Sequence, residues 1–285
     1  MLDILLIIIA VIWLTFASVS DLKTREVPDW ISFSLTIIAV AFLLIQIINQ
    51  KNYKLLINPL IFGIIFTVIA FAMYYTKQWG GGDTKLLIPL GIIFSSYPEK
   101  LLNYLNPTLN MQFPIILLIN IFVIGTIYSL LYSFYLAIKN KEKFVKEFKK
   151  NESKTAKIIG MILAVVLIIA AIFLQSPKNV LFLLLSLLVL ITPYLLAFVK
   201  SVEKSCMLEK ISTSKLTEGD WVIEDIYHNK KLILSKNNLG VTKNEIEIIK
   251  KIKRKILVKN GLPFIPSFLI AVIISLIFGN LFFPF

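Results

Sequence analysis

The sequence predicts an all-α polytopic membrane protein of six to eight transmembrane helices, with a small cytoplasmic α+β module inserted before the last helix. Three observations carry this expectation. Hydrophobic residues make up 57% of the 285 and charged residues 16%, and mean hydropathy is +0.81, far above the range of soluble chains. The apolar residues gather in runs close to the ~20 that a bilayer core requires. Between the last two runs lies a polar stretch, 200–260, with the pattern of strands and a short helix.

Span one is read at residues 4–20. Asp3 precedes it in place of the positive region that opens a secretory signal, so it is read as an uncleaved anchor. A charged loop, 21–29, leads to span two at 30–48. Pro28 suits a helix start, and Asp29 is placed as the cap of that helix. A short loop, 49–54, precedes span three at 55–75. The glycine loop Gly80-Gly81-Gly82-Asp83 follows, and then span four, 84–97, which is short and contains Pro89 and Gly91. A loop with Pro98, Asn106 and Pro107 separates it from span five, 114–138. Residues 139–157 hold eight lysines and three glutamates and read as a solvated loop near anionic lipid. Spans six (158–174) and seven (180–199) are joined by the turn 175–179. Residues 261–285 form the last apolar segment. In domain terms, 1–138 is a catalytic transmembrane core and 139–157 a basic cytoplasmic loop. Residues 158–199 add a transmembrane helix pair, 200–260 form the cytoplasmic module, and 261–285 form the C-terminal transmembrane helix.

Within the module, 220–227 and 231–235 read as two strands around His228-Asn229-Lys230. Thr242 and Glu245 have capping-box spacing. They open a helix on which Ile246, Ile249, Ile252 and Ile256 recur at helical intervals. Trp221 and this isoleucine stripe are assigned to the module's own core.

The formal charge of +13 is assigned to membrane topology, with no nucleic-acid partner. Loops 21–29, 76–83, 139–157 and 200–260 carry most of the Lys and Arg, which places them in the cytoplasm. One cysteine, Cys206, excludes an intramolecular disulfide. With one histidine, His228, it leaves no Cys/His metal set. No metal and no organic cofactor is expected. A Cys206–His228 nucleophile pair has no supporting motif.

The chemistry concentrates on two carboxylates. Asp21 ends span one and Asp83 begins span four. Two crossings separate them, so both return to the same face. When two carboxyls approach closely, they do not both ionise cheaply. The ionised one then activates water, while the protonated one polarises a carbonyl and helps the leaving amine depart. Gly80, Gly81 and Gly82 are expected to admit an extended peptide and to act as a hinge for Asp83. Each residue also has a plainer reading. Asp21 is then a helix end facing water, Asp83 a cap, and Asp29 a cap. Lys85 offsets Asp83 or meets headgroups, and Glu26 attracts a basic substrate segment or is simply solvated.

Ser20-Asp21-Leu22-Lys23-Thr24-Arg25-Glu26-Val27-Pro28-Asp29, followed by Gly80-Gly81-Gly82-Asp83-Thr84-Lys85, resembles the type IV prepilin peptidase family and its archaeal preflagellin peptidase branch. These are GxGD-type intramembrane aspartic proteases. The resemblance covers about residues 1–95. It implies catalytic roles for Asp21 and Asp83. It also implies removal of short basic leaders from preflagellin-like or prepilin-like membrane proteins at the cytoplasmic membrane boundary. Bacterial members carry an N-terminal domain with cysteine pairs and sometimes methylate the product; without these cysteines, no methyl transfer is expected. Residues 261–266, Gly-Leu-Pro-Phe-Ile-Pro, look like archaeal members. Two rivals stand beside this reading. A lipid-phosphate transferase holding magnesium would need closely spaced acids, but Asp21 and Asp29 are eight apart with Pro28 between them. A transporter or non-enzymatic membrane subunit would use Asp21 and Asp83 as ion or structural sites deep within spans, whereas these residues lie at span ends.

Overall fold

The structure is a computed structural model that describes residues 2–228, 231–252 and 255–281. Among these residues, six helices are long and apolar enough to cross a membrane. Five of them contain α1 (Leu2–Thr24), α2 (Asp29–Gln50), α3 (Ile57–Tyr75), α5 (Phe113–Lys139) and α7 (Lys154–Ile172); the sixth contains α8 (Lys178–Val202). Two shorter apolar helices complete the set: α4 (Gly81–Ile93) and α10 (Ile265–Phe278). Large apolar side chains such as Ile37, Ile48, Ile64 and Val68 stand exposed on the long helices. Water would not tolerate so many, and a bilayer solvates them. The protein is therefore a multi-pass membrane protein.

α1, α2, α5 and α8 are longer at both ends than the apolar runs suggested. Asp21 belongs to the last full turn of α1, not to the loop after it. Asp29 is the first residue of α2. The preceding Pro28 holds the cap position without a side-chain bond, so Asp29 is not the cap.

The chain divides into two compact units, Met1–Leu130 with Ile211–Phe285, and Leu131–Lys210. In the first, α4 lies against α3, α2 and α1, and α10 against α1. α3 and α4 approach each other closely. A Cβ on Gly91 would stand 2.7 Å from the Phe62 carbonyl and from the Phe66 ring, so only glycine permits this separation. At about 20 Å each, α4 and α10 are shorter than the ~30 Å hydrocarbon core, and their polar ends must find partners in protein. At the end of α10, Asn120 of α5 donates to the Ser275 hydroxyl (2.8 Å) and the Gly279 carbonyl (2.9 Å). The Tyr97 hydroxyl donates to the Leu276 carbonyl (2.9 Å), and the Thr108 N–H to the Phe278 carbonyl (2.9 Å).

The first unit also contains the polar module from Ile211 onward. Its strands are β1 (Leu208–Ser212), β2 (Trp221–Val222), β3 (Ile226–His228), β4 (Lys231–Leu234) and β5 (Lys255–Lys259), and its helix is α9 (Lys243–Lys250). One sheet has the order β1-β5-β2 and the other pairs β3 with β4. β2 runs antiparallel to β5, Trp221 opposite Lys259. β3 and β4 are antiparallel, with a register shift between Ile226 and Tyr227; Asn229 and Lys230 of the expected turn lie outside the described residues. The single strand expected at 220–227 is split in two. Glu224 accepts from the Leu257 N–H and Asp225 from the Lys236 N–H, so side chains replace the ladder where the chain changes sheet. The capping box forms as expected, with Thr242 and Glu245 exchanging bonds. The helix stops at Lys250, however, and Ile256 reaches the core from β5 instead. Trp221 is only half-buried; Val222 takes the inward position beside Ile226, Ile249 and Val258.

In the second unit, the basic stretch is not an irregular loop. Residues 141–151 form α6 (Lys141–Asn151), with its lysines outward. Phe144 and Phe148 pack against the cluster of Ala137, Phe198 and Val202. α7 and α8 form a hairpin, brought close where Gly160 faces Pro193 and the Val189 carbonyl.

The α3–α4 contact yields a prediction. Gly91→Ala is expected to lower stability by about 1–3 kcal/mol, measured by thermal unfolding in detergent micelles, because neither the Phe62 backbone nor the Phe66 ring has room to retreat.

Candidate active site

Asp21 lies one turn before the end of α1, facing inward. It is only 6% exposed. Its Oδ2 accepts the N–H of Ile265 at 2.9 Å, the first residue of α10. A helix N-terminus carries unpaired N–H groups and a partial positive charge, and here a carboxylate from another helix meets them. Pro266, the next residue, has no N–H to offer, and the Ser267 N–H is taken by the Phe264 carbonyl (3.0 Å). Asp21 therefore acts as a cap supplied from a distance.

The turn after Asp21 is fixed by polar bonds. Arg25 adopts a left-handed φ of 58°, and its N–H closes the helix on the Asp21 carbonyl (2.8 Å). The Ser20 and Thr24 hydroxyls both donate to the Glu26 carbonyl (2.8 and 3.1 Å). The Arg25 guanidinium donates to the Gly261 carbonyl (3.3 Å), tying this turn to the segment that leads into α10.

Asp83 is held by a second helix N-terminus, that of its own helix. Gly80, in extended conformation, is the residue before α4. Its N–H donates to Asp83 Oδ2 at 3.0 Å, while the Thr84 hydroxyl donates to its carbonyl at 2.9 Å. Gly81 and Gly82 are thus the first turn of a helix, where an open loop was expected. The approach to Gly80 is anchored by Trp79. This ring is buried, stacks on Phe122 at 5.8 Å, and meets Phe264 and Phe268 at 5.6 and 5.4 Å. The same aromatic group therefore holds the entrances of both α4 and α10.

The structure brings Asp21 and Asp83 to one region. Their helices touch. Gly82 explains part of this approach: a Cβ there would lie 3.1 Å from Cβ of Val27, in the turn that follows Asp21. The remaining candidates sit at the margin. Lys85 bonds Asp29 at 2.6 Å in a half-exposed ion pair, neither alternative expected for it, and such a pair contributes about 0–1 kcal/mol. Glu26 accepts from the Thr217 hydroxyl of the module (2.9 Å). Lys77, just before the glycines, donates to the Lys236 carbonyl (3.4 Å). The module thus touches both segments that carry the aspartates. Among the described residues, no three His, Cys, Asp or Glu side chains gather as a metal-ion cage.

Sequence reasoning missed the Ile265 N–H, the Val27–Gly82 contact and the role of Trp79. The first two involve backbone or absent atoms, which leave no residue-type signal. Trp79 adjoins the glycine run, and its position beside that run was its only visible mark.

Comparisons with known proteins agree on this region. The model of the type IV leader peptidase family matches residues 8–130. The chain is 30% identical over 146 residues to a preflagellin peptidase of Methanococcus maripaludis, covering 50% of this chain and 63% of that one. It is 27% identical over 148 residues to the preflagellin peptidase of Methanococcus voltae, covering 50% and 61%. The preflagellin peptidase of Methanocaldococcus jannaschii is 27% identical over 149 residues, covering 51% and 62%. The matched stretch therefore spans less than two thirds of each of these relatives. No solved structure matches the chain significantly.

The glycines separate in their expected response to substitution. Gly81→Ala meets open space and is expected to be neutral or to stabilise by up to about 1 kcal/mol, since it removes backbone freedom from a helical position. Gly82→Ala is expected to destabilise by about 1 kcal/mol through the clash with Val27, and Val27→Ala in that background to recover only part of the loss, since alanine keeps the Cβ that stands 3.1 Å away. Thermal unfolding of wild type and the three variants checks both statements.

Proposed function

We propose, on the premise that residues 8–130 belong to the type IV leader peptidase family, that the protein is an aspartic endopeptidase working with Asp21 and Asp83. Its substrates are membrane proteins of preflagellin or prepilin type, from which it removes a short basic leader at the cytoplasmic membrane boundary. The observation that carries this reading is the pairing of two carboxylates on touching helices, each fixed by a backbone N–H at a helix N-terminus.

The chemistry needs no group beyond these two and a water. The ionised carboxylate takes a proton from water as its oxygen bonds to the scissile carbonyl carbon. The protonated partner gives its proton to the carbonyl oxygen, forming a neutral gem-diol. The C–N bond then breaks. The leaving nitrogen receives the proton first taken from water, and the gem-diol returns a proton to the other carboxylate as the new carboxylic acid forms. Both carboxylates end as they began. Fixed N–H donors suit this cycle, because they hold the carboxylate oxygens in place without reorganising at each step.

The side placement follows from charge. The turn at 21–29, the basic helix α6 and the module are rich in Lys and Arg, and the positive-inside rule puts them in the cytoplasm. A basic leader would then remain in water while the apolar helix that follows it lies in the membrane.

Asp21→Asn and Asp83→Asn are each expected to lower kcat for leader removal by about a thousandfold or more, and the double variant to be no worse than either single one, since groups that act as a unit are not additive. The assay uses a leader-bearing membrane substrate in micelles, with thermal unfolding as a check of folding. Wild-type rates in either single variant would discard the dyad.

A further inference from the structure

We propose that the contact between the Trp79 and Phe264 rings sets the distance between Asp21 and Asp83, so that both rings are positioning residues for the catalytic pair. This rests on the reading of the protein as a leader peptidase and deepens it.

The path between the carboxylates is short. The N–H that fixes Asp83 belongs to Gly80 (3.0 Å), and Trp79 is the residue before it. The N–H that fixes Asp21 belongs to Ile265 (2.9 Å), and Phe264 is the residue before it. The rings of these two preceding residues meet at 5.6 Å. Neighbouring Cα atoms are about 3.8 Å apart, so a displaced ring drags the next N–H with it. Asp21, Ile265, Phe264, Trp79, Gly80 and Asp83 thus form one chain of contacts. The ring contact is the link in it that is neither covalent nor a hydrogen bond.

The start of α4 depends on this link. Gly80, Gly81 and Gly82 have no side chains with which to anchor it, and Trp79 is the nearest side chain on that side. Trp79 is only 4% exposed. Its ring stacks on Phe122 of α5 and meets Phe268 of α10 edge-on, and its N–H donates to the Met73 carbonyl of α3 (3.2 Å). Phe264 is seated in the same way. Its ring stands edge-on to Phe268 at 5.5 Å, and its tip fills the hollow left by Gly125 of α5, where a Cβ would collide with it. α5 therefore backs both rings, and a shift in one is passed to the other. Two carboxyls share a proton only while they are near each other, and a misplacement of about 1 Å can cost about a hundredfold in rate. Loss of the ring contact therefore lowers kcat and leaves substrate binding as it was.

The test measures kcat and KM for leader removal from a leader-bearing membrane protein in micelles, with thermal unfolding alongside. The variants are Trp79→Leu, Phe264→Leu, the two combined, Trp79→Phe and Phe94→Leu. Phe94 is buried at the far end of α4, edge-on to Phe113 at 6.2 Å, and its loss is the control for a purely structural effect. Trp79→Leu and Phe264→Leu are each expected to lower kcat about a hundredfold at unchanged KM. The combined variant is expected to be no slower than the slower single one, because both break the same chain of contacts. Trp79→Phe keeps a ring and most of the rate. Phe94→Leu loses stability and keeps the wild-type kcat. Phe264 is only half-buried, so Phe264→Leu carries the test where Trp79→Leu does not fold. Wild-type kcat in folded Phe264→Leu, multiplied losses in the combined variant, or an equal loss of kcat in Phe94→Leu overturns the positioning role. Wild type that leaves the leader uncleaved overturns the peptidase reading itself, and the role of the two rings with it.

Discussion

Two carboxylates embedded among apolar helices are the constraint that the rest of the first unit answers. An ionised Asp at the centre of a span costs about 2.5–3.5 kcal/mol on insertion scales, an upper bound for residues at helix ends. A hydrogen bond to a charged group contributes about 1.5–3 kcal/mol, and a helix N-terminus about 0.3–2 kcal/mol more. One helix end per carboxylate is therefore of the size needed. Asp21 has α10 and Asp83 has the start of α4. This accounts for the two short helices, since each must begin inside the protein, where its N-terminus meets an aspartate. It also accounts for Trp79, Phe264 and Phe268, which fasten those two helix starts together.

Much of this was legible in the sequence because hydrocarbon imposes a simple grammar. Apolar runs gave the long helices, and the parity of crossings put Asp21 and Asp83 on one side. What stayed hidden depends on atoms that residue types do not encode. Ile265 matters at the site through its N–H, and any residue but proline has one. Gly82 matters through an absent Cβ facing Val27, whereas Gly81 beside it faces nothing. Soluble patterns also misled where two structures share one periodicity. The isoleucines at 246, 249, 252 and 256 read as one helical stripe, yet the last of them sits on a strand. The lysines of 139–157 read as a loop because their number outweighed Phe144 and Phe148, whose spacing of four is that of a helix face.

The inserted module belongs with the aspartates physically as well as in sequence order. Its last strand leads through Gly261 into α10, so the element that holds Asp21 is continuous with the module. Thr217 reaches the turn after Asp21, and the Lys236 carbonyl reaches the turn before the glycines. These are single exposed bonds, of about 0.5–1.5 kcal/mol each. They orient the turns without locking them, and the strong fixation of Asp21 comes from α10 itself.

The run Gly80-Gly81-Gly82 shows why one repeated residue type need not have one cause. Gly80 precedes the helix in an extended conformation, and a Cβ there would only touch the Asp83 carboxylate at 3.6 Å. Space does not demand glycine at that position, but a bare backbone leaves the approach to Asp83 clear for another extended chain. Gly81 is helical with open space beside it, so nothing in the folded protein requires it. Gly82 is demanded by packing against Val27, the contact that brings the Asp21 turn to Asp83. Packing therefore accounts for the third glycine and not for the first two.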